Sequence, residues 1–174
     1  MDASSTQMPQ RLAIVGAPNC GKTALFNALT GSRQKVGNYA GVTVERKVGA
    51  AHTPEGRILS LIDLPGTYSL RARSPDEEVT RDIVLGQHPR ETPPDLILAV
   101  VDATNMRSAL RLVSELREVG RPIFVVLNMI DIARARGIEI DAQAIAAEIG
   151  LPVVTATAVR RAGLADLCWR GSTA

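Results

Sequence analysis

Apolar residues fall along this chain in short runs of two periods, and their alternation predicts the fold. Residues 11–15 (RLAIV) form a compact apolar run that stops at Gly16, which predicts a strand. Leu25, Phe26 and Leu29 then recur three and four apart, so a helix is expected from Lys22 to about Leu29, stopped by Gly31. Residues 32–43 show neither period and contain Gly37, Asn38 and Gly41, and read as a long mobile loop. Residues 44–51 and 57–63 read as a hairpin turning at Thr53-Pro54-Glu55-Gly56. Ser74-Pro75-Asp76-Glu77 opens the next helix with an N-cap serine, a proline at the first helical position and a capping-box glutamate. A loop carrying Pro89, Pro93 and Pro94 leads to 95–102 (DLILAVVD), a strand apolar on both faces. A helix at 105–119, a strand at 122–128, a helix at 141–149 and a strand at 152–157 complete the alternation. The expected class is α/β: a mostly parallel six-stranded sheet with one antiparallel edge strand and helices on both faces, three layers in all.

Residues 1–10 read as a disordered leader and 168–174 as a tail without periodicity, leaving one domain at 11–167. Composition sharpens this. Aromatics make up only 3% against 45% hydrophobic residues, so the core must be aliphatic. Two cysteines, Cys20 and Cys168, cannot staple 174 residues, which points to a reducing compartment. A net charge of +2 argues against a nucleic-acid surface built on bulk positive charge. The longest apolar runs, 96–101 and 123–127, are far short of the roughly 20 residues that span a bilayer. Residues 1–10 carry no signal-peptide pattern.

The strongest chemical signal is Gly16-Ala17-Pro18-Asn19-Cys20-Gly21-Lys22-Thr23, which fits G-x-x-x-x-G-K-[ST] between a predicted strand and a predicted helix. Glycines let successive backbone N–H groups converge on a β-phosphate, and the helix start adds the positive end of its dipole. Lys22 would bridge β- and γ-phosphates, and Thr23 would offer its hydroxyl to Mg²⁺. The plain alternative is a glycine turn with an incidental lysine. Asp63-Leu64-Pro65-Gly66 follows the second hairpin strand, where Asp63 can hold Mg²⁺ through water and Gly66 can present its N–H to a γ-phosphate. Asn128-Met129-Ile130-Asp131 ends a buried strand; Asp131 can accept both N1–H and N2–H₂ of guanine, a donor pair adenine lacks, and Asn128 can brace the loop. Thr157-Ala158 ends the last predicted strand, where a backbone N–H could meet guanine O6. Alone, the second and third motifs read equally as a turn and as a strand-to-helix turn with Asp131 as N-cap. Their order decides. Lys22 precedes Asp63 by 41 residues and Asp63 precedes Asn128 by 65, each just after a predicted strand, on the edge where doubly wound sheets bind ligands.

In this order the motifs resemble the GTPase superfamily of small G domains over about residues 11–167, which implies the P-loop GTPase fold. Gly37-Asn38-Tyr39-Ala40-Gly41-Val42-Thr43-Val44-Glu45, Asp63-Leu64-Pro65-Gly66-Thr67-Tyr68-Ser69-Leu70, Ser74-Pro75-Asp76-Glu77-Glu78 and Asn128-Met129-Ile130-Asp131 narrow the resemblance to the cytosolic G domain of the FeoB bacterial ferrous-iron transporters. Met129 stands where most G domains carry lysine, and its thioether stem can pack on the purine.

The resemblance implies a GTP-binding, GTP-hydrolysing domain that regulates or powers ferrous-iron uptake. The nucleotide, GTP or GDP, would be held by Gly16, Ala17, Pro18, Asn19, Cys20, Gly21, Lys22, Thr23 and Ala24, and by Asn128, Met129, Asp131, Thr157, Ala158 and Val159. Mg²⁺ would sit at Thr23, Asp63 and Thr43, the last a switch I threonine that senses the γ-phosphate. Residues 32–46 and 64–80 become switches I and II. The catalytic set would be Lys22, Thr43, Gly66 and Asn19. Asn19 matches a P-loop asparagine that accompanies K⁺-stimulated hydrolysis, although a loop asparagine bonding its own backbone is the bland alternative. K⁺ would supply the charge an arginine finger supplies elsewhere. Thr67 occupies the place of a water-orienting glutamine and is too short for that role, so turnover is expected to be slow.

Glu77 and Glu78 read as helix-start residues, His52 and His88 as isolated, Cys20 as a small side chain or an activated thiol, and Arg33, Lys35, Arg46 and Lys47 as a solvated basic face. Expected partners are guanine nucleotide, the helical and membrane regions of the transporter, and small accessory proteins of iron uptake, with no nucleic acid. FeoB-like chains continue past this point, so an excised domain or short product is expected, its parent on the cytoplasmic face of the bacterial inner membrane. An RNA- or ribosome-associated GTPase and a nucleotide-gated switch with negligible hydrolysis are the competing classes.

Asp131→Asn is expected to exchange guanine for xanthine, read by competing GDP against XDP for the protein; an unchanged preference for guanine overturns the assignment of Asp131.

Overall fold

Odd- and even-numbered side chains of the central strands enter opposite faces of one sheet, and both faces are covered. The computed structural model describes residues 10–157 and 159. Its elements run β1 (Gln10–Gly16), α1 (Lys22–Thr30), β2 (Gln34–Asn38), β3 (Glu45–His52), β4 (Ile58–Asp63), α2 (Pro75–Leu85), β5 (Leu96–Asp102), α3 (Met106–Glu118), β6 (Ile123–Asn128), α4 (Ile130–Ala135), α5 (Ala142–Ile149) and β7 (Val153–Thr155). Residues 1–9 of the expected leader and the expected tail lie outside the described residues. Gln10, assigned to that leader, already belongs to β1.

The sheet order is β2-β3-β4-β1-β5-β6-β7. The last five of these strands are mutually parallel, β3 runs antiparallel to β4, and β2 runs antiparallel to β3. Ala13, Val15, Ile97, Ala99, Val101, Ile123, Val125 and Leu127 pack with Ile83 and Val84 of α2, Leu112 and Leu116 of α3, and partly buried Ile145 and Ile149 of α5. Leu12, Ile14, Leu96, Leu98, Val100, Phe124 and Val126 pack instead with Leu25 and Phe26 of α1. Each such burial stabilises the fold by about 2 kcal/mol. The core is aliphatic, as the low aromatic content requires; the two phenylalanines and Tyr39 are its aromatic members.

The mostly parallel sheet with an antiparallel edge and flanking helices is present, but it has seven strands, not six. The seventh is β2, within the segment read as a mobile loop. All five of its residues are exposed, so it is held by its backbone ladder to β3 and leaves no apolar alternation in the sequence. The six-residue α4 buries only Ala133 and was invisible for the same reason. The last strand stops at Thr155, and Ala156 and Thr157 are already helical.

Helix ends follow the sequence closely. Ser74 Oγ accepts from Glu77 N–H at 3.3 Å with Pro75 behind it, and the Glu77 carboxylate returns to Arg73 N–H at 2.7 Å, one residue before the cap. No helix among the described residues is long and apolar enough to cross a membrane.

The basic face expected around switch I is not solvated throughout. Arg46 on β3 pairs with Glu91 at 2.5 Å, Arg11 on β1 pairs with the same carboxylate, and Lys47 pairs with Glu45 at 2.7 Å. Glu91 thereby ties the loop after α2 to two strands. Burial pushes its carboxyl up, but the hydrogen bonds and charges of Arg46 and Arg11 more than offset this and hold it below the ordinary carboxylate range. A depressed folded-state pKa gives stability that is complete above the unfolded value and is lost as pH falls through the folded one. Glu91→Ala is therefore expected to lower stability by about 2 kcal/mol at neutral pH, with the gap to wild type narrowing as pH falls through the depressed folded-state pKa, as read from urea midpoints.

Candidate functional site

Four loops meet at the carboxyl edge of the sheet, each leaving the end of a parallel strand. The loop after β1 is fixed by close packing. A Cβ on Gly16 would lie 2.6 Å from Val100 O and 2.7 Å from Cys20 Sγ, so only glycine fits. Asn19 (φ 62°) and Gly21 (φ 97°) both take the left-handed conformation, which folds the segment back over the start of α1. The Asn19 side chain makes no hydrogen bond among the described residues, and it is exposed. Cys20 is 2% exposed, and burial pushes its thiol up against the pull of Lys22, so it is the small packed side chain rather than an activated one.

Lys22 carries the electrostatics of the site. Its residue is 8% exposed, it opens α1 at the positive end of the helix dipole, and among the described residues it makes no ion pair. A positive charge at a helix start, lining a cavity, favours an anion there. The nearby carboxylate is Asp63, at the end of β4. Its Oδ2 accepts from Thr23 Oγ1 at 3.1 Å, while its Oδ1 is buried without a partner. Burial pushes the Asp63 carboxyl up, and Lys22 and the Thr23 hydroxyl pull against that. A buried free carboxylate oxygen beside a hydroxyl is the donor set of a hard, oxygen-seeking divalent cation.

Gly66 closes this side. A Cβ there would fall 2.8 Å from Pro18 N, and Thr67 N–H donates to Gly16 O at 3.0 Å. The two loops therefore touch through backbone. Lys22, Thr23, Asp63 and Gly66 share one cavity of about 220 Å³. Thr43 is not brought into it. That residue is exposed and lines the neighbouring groove with Tyr39, Pro75 and Asp76; Val44 and Asp76 border both.

On the other side of the loop after β1, Asn128, Met129, Asp131, Thr155 and Thr157 line a second cavity of about 470 Å³. Asn128 joins the halves: its Nδ2 donates to Cys20 O at 3.0 Å and would lie 2.0 Å from a Cβ on Gly21. Met129 holds φ 58°, an uncommon conformation for a long side chain. It caps α4, so Asp131 sits in the first helical turn and is not the N-cap. Ala17 and Pro18 follow Gly16, and Ala24 is exposed on the first turn of α1. Val159 is buried in the core on the α1 side, away from the second cavity, and Ala158 lies outside the described residues.

Sequence reasoning missed two side chains that organise this edge. Glu91 anchors the base of switch I through Arg46, and Glu115 on α3 accepts hydrogen bonds from Ser69 and Leu70. Neither lies in a motif, and both partners are more than forty residues away, so no local signal marked them.

Comparison with known proteins agrees with this geometry. The family model described as ferrous iron transport protein B matches residues 10–170. The Fe(2+) transporter FeoB of Escherichia coli K12 is 44% identical over 160 residues, covering 90% of this chain; the chain spans about a fifth (20%) of that relative's length. The G domain of the T. maritima FeoB iron transporter superposes with TM-score 0.75 at 40% identity, covering 85% of this chain and 87% of that one. The cytosolic domain of the same transporter in its GMPPNP form gives TM-score 0.76 at 42% identity, covering 84% of this chain and 56% of that one.

Gly21→Ala is expected to cost about 1–2 kcal/mol for the left-handed backbone and about 1 kcal/mol more for the Asn128–Cys20 bond it displaces, measured as a shift in the denaturant midpoint. A neutral effect would mean that Asn128 does not hold the loop.

Proposed function

Because this chain belongs to the FeoB ferrous-iron-transport family, we propose that it binds guanine nucleotide and hydrolyses GTP as the cytosolic nucleotide-handling part of a longer bacterial ferrous-iron transporter. The observation that carries this reading is the partly enclosed, unpaired ammonium of Lys22 beside the orphaned Oδ1 of Asp63. Such a pair suits a polyphosphate and its divalent cation together.

The residues divide the work. Backbone N–H groups of 19–23 and the Lys22 ammonium hold the β- and γ-phosphate oxygens, where negative charge builds up as the terminal phosphoryl group leaves. Thr23 and Asp63 are the groups that would hold Mg²⁺, joined by Thr43; when bound, Mg²⁺ neutralises phosphate charge. The orphaned Asp63 oxygen fits that role. Asn19, whose amide is unengaged, is the group that would hold K⁺. Asp131 accepts from the guanine edge, Met129 covers its face, and the backbone at Thr157 and Ala158 meets O6. Asn128 keeps this half in register with the phosphate half.

Two features bear on rate. Thr43 lies outside the phosphate cavity, so switch I must move before it can contribute. Thr67 is fully buried and its hydroxyl donates to Ser69 O at 2.6 Å, so the attacking water must be placed by switch II backbone or by another side chain. Both support slow turnover.

The test is multiple-turnover phosphate release from GTP in KCl against NaCl at equal ionic strength. Stimulation of at least about fivefold by K⁺ is expected. Absence of turnover in either salt would replace the enzyme with a nucleotide-gated switch acting through a partner.

A further inference from the structure

Switch II is gripped from two sides, and only one grip belongs to the nucleotide site. On the phosphate side, Thr67 N–H donates to Gly16 O at 3.0 Å and Gly66 abuts Pro18. Thr67 Oγ1 then donates to Ser69 O at 2.6 Å. The Ser69 N–H lies 3.3 Å from that same hydroxyl. On the far side stands Glu115, near the end of α3. Ser69 Oγ donates to its carboxylate at 2.8 and 3.0 Å, and Leu70 N–H donates to Oε2 at 2.6 Å. Arg71 N–H closes the turn by donating to Ser69 Oγ at 3.0 Å.

A glutamate four residues after an arginine on a helix would ordinarily be read as a surface ion pair. Here Arg111 Nε is 3.6 Å from Glu115, looser than any of the contacts from switch II. Two carboxylate oxygens receive a hydroxyl and a backbone N–H, and a charged acceptor roughly doubles the strength of such bonds. Burial pushes the Glu115 carboxyl up, but the Leu70 N–H, the Ser69 hydroxyl and Arg111 more than compensate and hold it below the ordinary range.

We propose that Glu115 is a positioning residue for GTP hydrolysis: by clamping Ser69 and Leu70 to α3 it fixes the Thr67 turn, and with it Gly66 at the wall of the phosphate cavity. The proposal rests on the GTPase reading above. Glu115 touches no part of the nucleotide site and acts through the chain Glu115–Ser69–Thr67–Gly16. Small displacements of a positioned group are enough to cost large factors in rate.

Glu115→Ala and Glu115→Gln in the whole chain test it. Glu115→Ala is expected to lower kcat for GTP at least tenfold while KM and the affinity for a fluorescent GDP analogue stay within twofold. Glu115→Gln keeps an acceptor for Leu70 N–H and should recover most of that loss. A kcat within twofold of wild type in Glu115→Ala overturns the proposal, as does a parallel loss of GDP affinity or a glutamine variant no better than alanine. Amide hydrogen exchange over residues 66–71 separates this from failure of the GTPase reading. If the wild type shows no turnover, faster exchange confined to that turn in Glu115→Ala still supports the clamp, and unchanged exchange overturns it.

Discussion

Lys22 opens α1 at the positive end of the helix dipole, with 8% of its residue surface exposed and no ion pair among the described residues. The rest of the edge is arranged around that constraint. Glycine at 16 and at 21 lets backbone approach where any side chain would collide. Asp63 comes close enough to moderate the charge without forming an ion pair with it, and spends one oxygen on Thr23. The loop is held in place because β1, β4 and β5 are buried on both faces. Lys22 thereby faces the same cavity as Thr23, Asp63 and Gly66.

The same rigidity does not extend to switch I. Its two ends are firmly held, at Tyr39 in the core and at Arg46 under Glu91. Between them, 40–43 are exposed and carry Thr43 into a groove beside the cavity. Tyr39 N–H donates to Val44 O at 2.9 Å, closing the loop as the tip of the β2–β3 hairpin. A short exposed segment with fixed ends can change shape without unravelling its supports.

What could be read from the sequence was whatever chemistry forces on backbone or what both sheet faces force on side chains. The 16–23 loop, the Asp63 and Asn128 turns and the buried strands β1, β4, β5 and β6 announce themselves because few residue types satisfy those positions. β2 does not, since its exposed side chains answer to no pattern and its pairing with β3 is a backbone matter. Arg46 looked like a solvated charge because Glu91, 45 residues onward, returns over it only in the folded chain. The placement of Thr43 was equally unreadable: the motif names the residue, and only the hairpin's path says that it sits outside the cavity. Resemblance supplied the family, while the structure supplied contacts, such as those of Glu91 and Glu115, that no motif names.

Glu115 shows why such contacts matter for rate. The loop that runs from Thr67 into α2 is held at its start by Thr67 N–H on Gly16 O and at its end by the Ser74 cap and by Arg73 N–H on the Glu77 carboxylate. Between them lie Tyr68 to Arg73, and Tyr68 is more than half exposed. The Glu115 contacts hold the middle of this stretch, between the Thr67–Gly16 bond and the Arg73–Glu77 bond, while the buried Thr80 hydroxyl holds Pro65 O at 2.8 Å. α3 is the nearest rigid body, packed on β5 and β6 through Leu112 and Leu116. A carboxylate projecting from it can take both Ser69 and Leu70 at once, which no neutral side chain of similar reach does with the same strength. Helix α3 therefore does more than cover the sheet: it lends switch II the stiffness that its own sequence lacks.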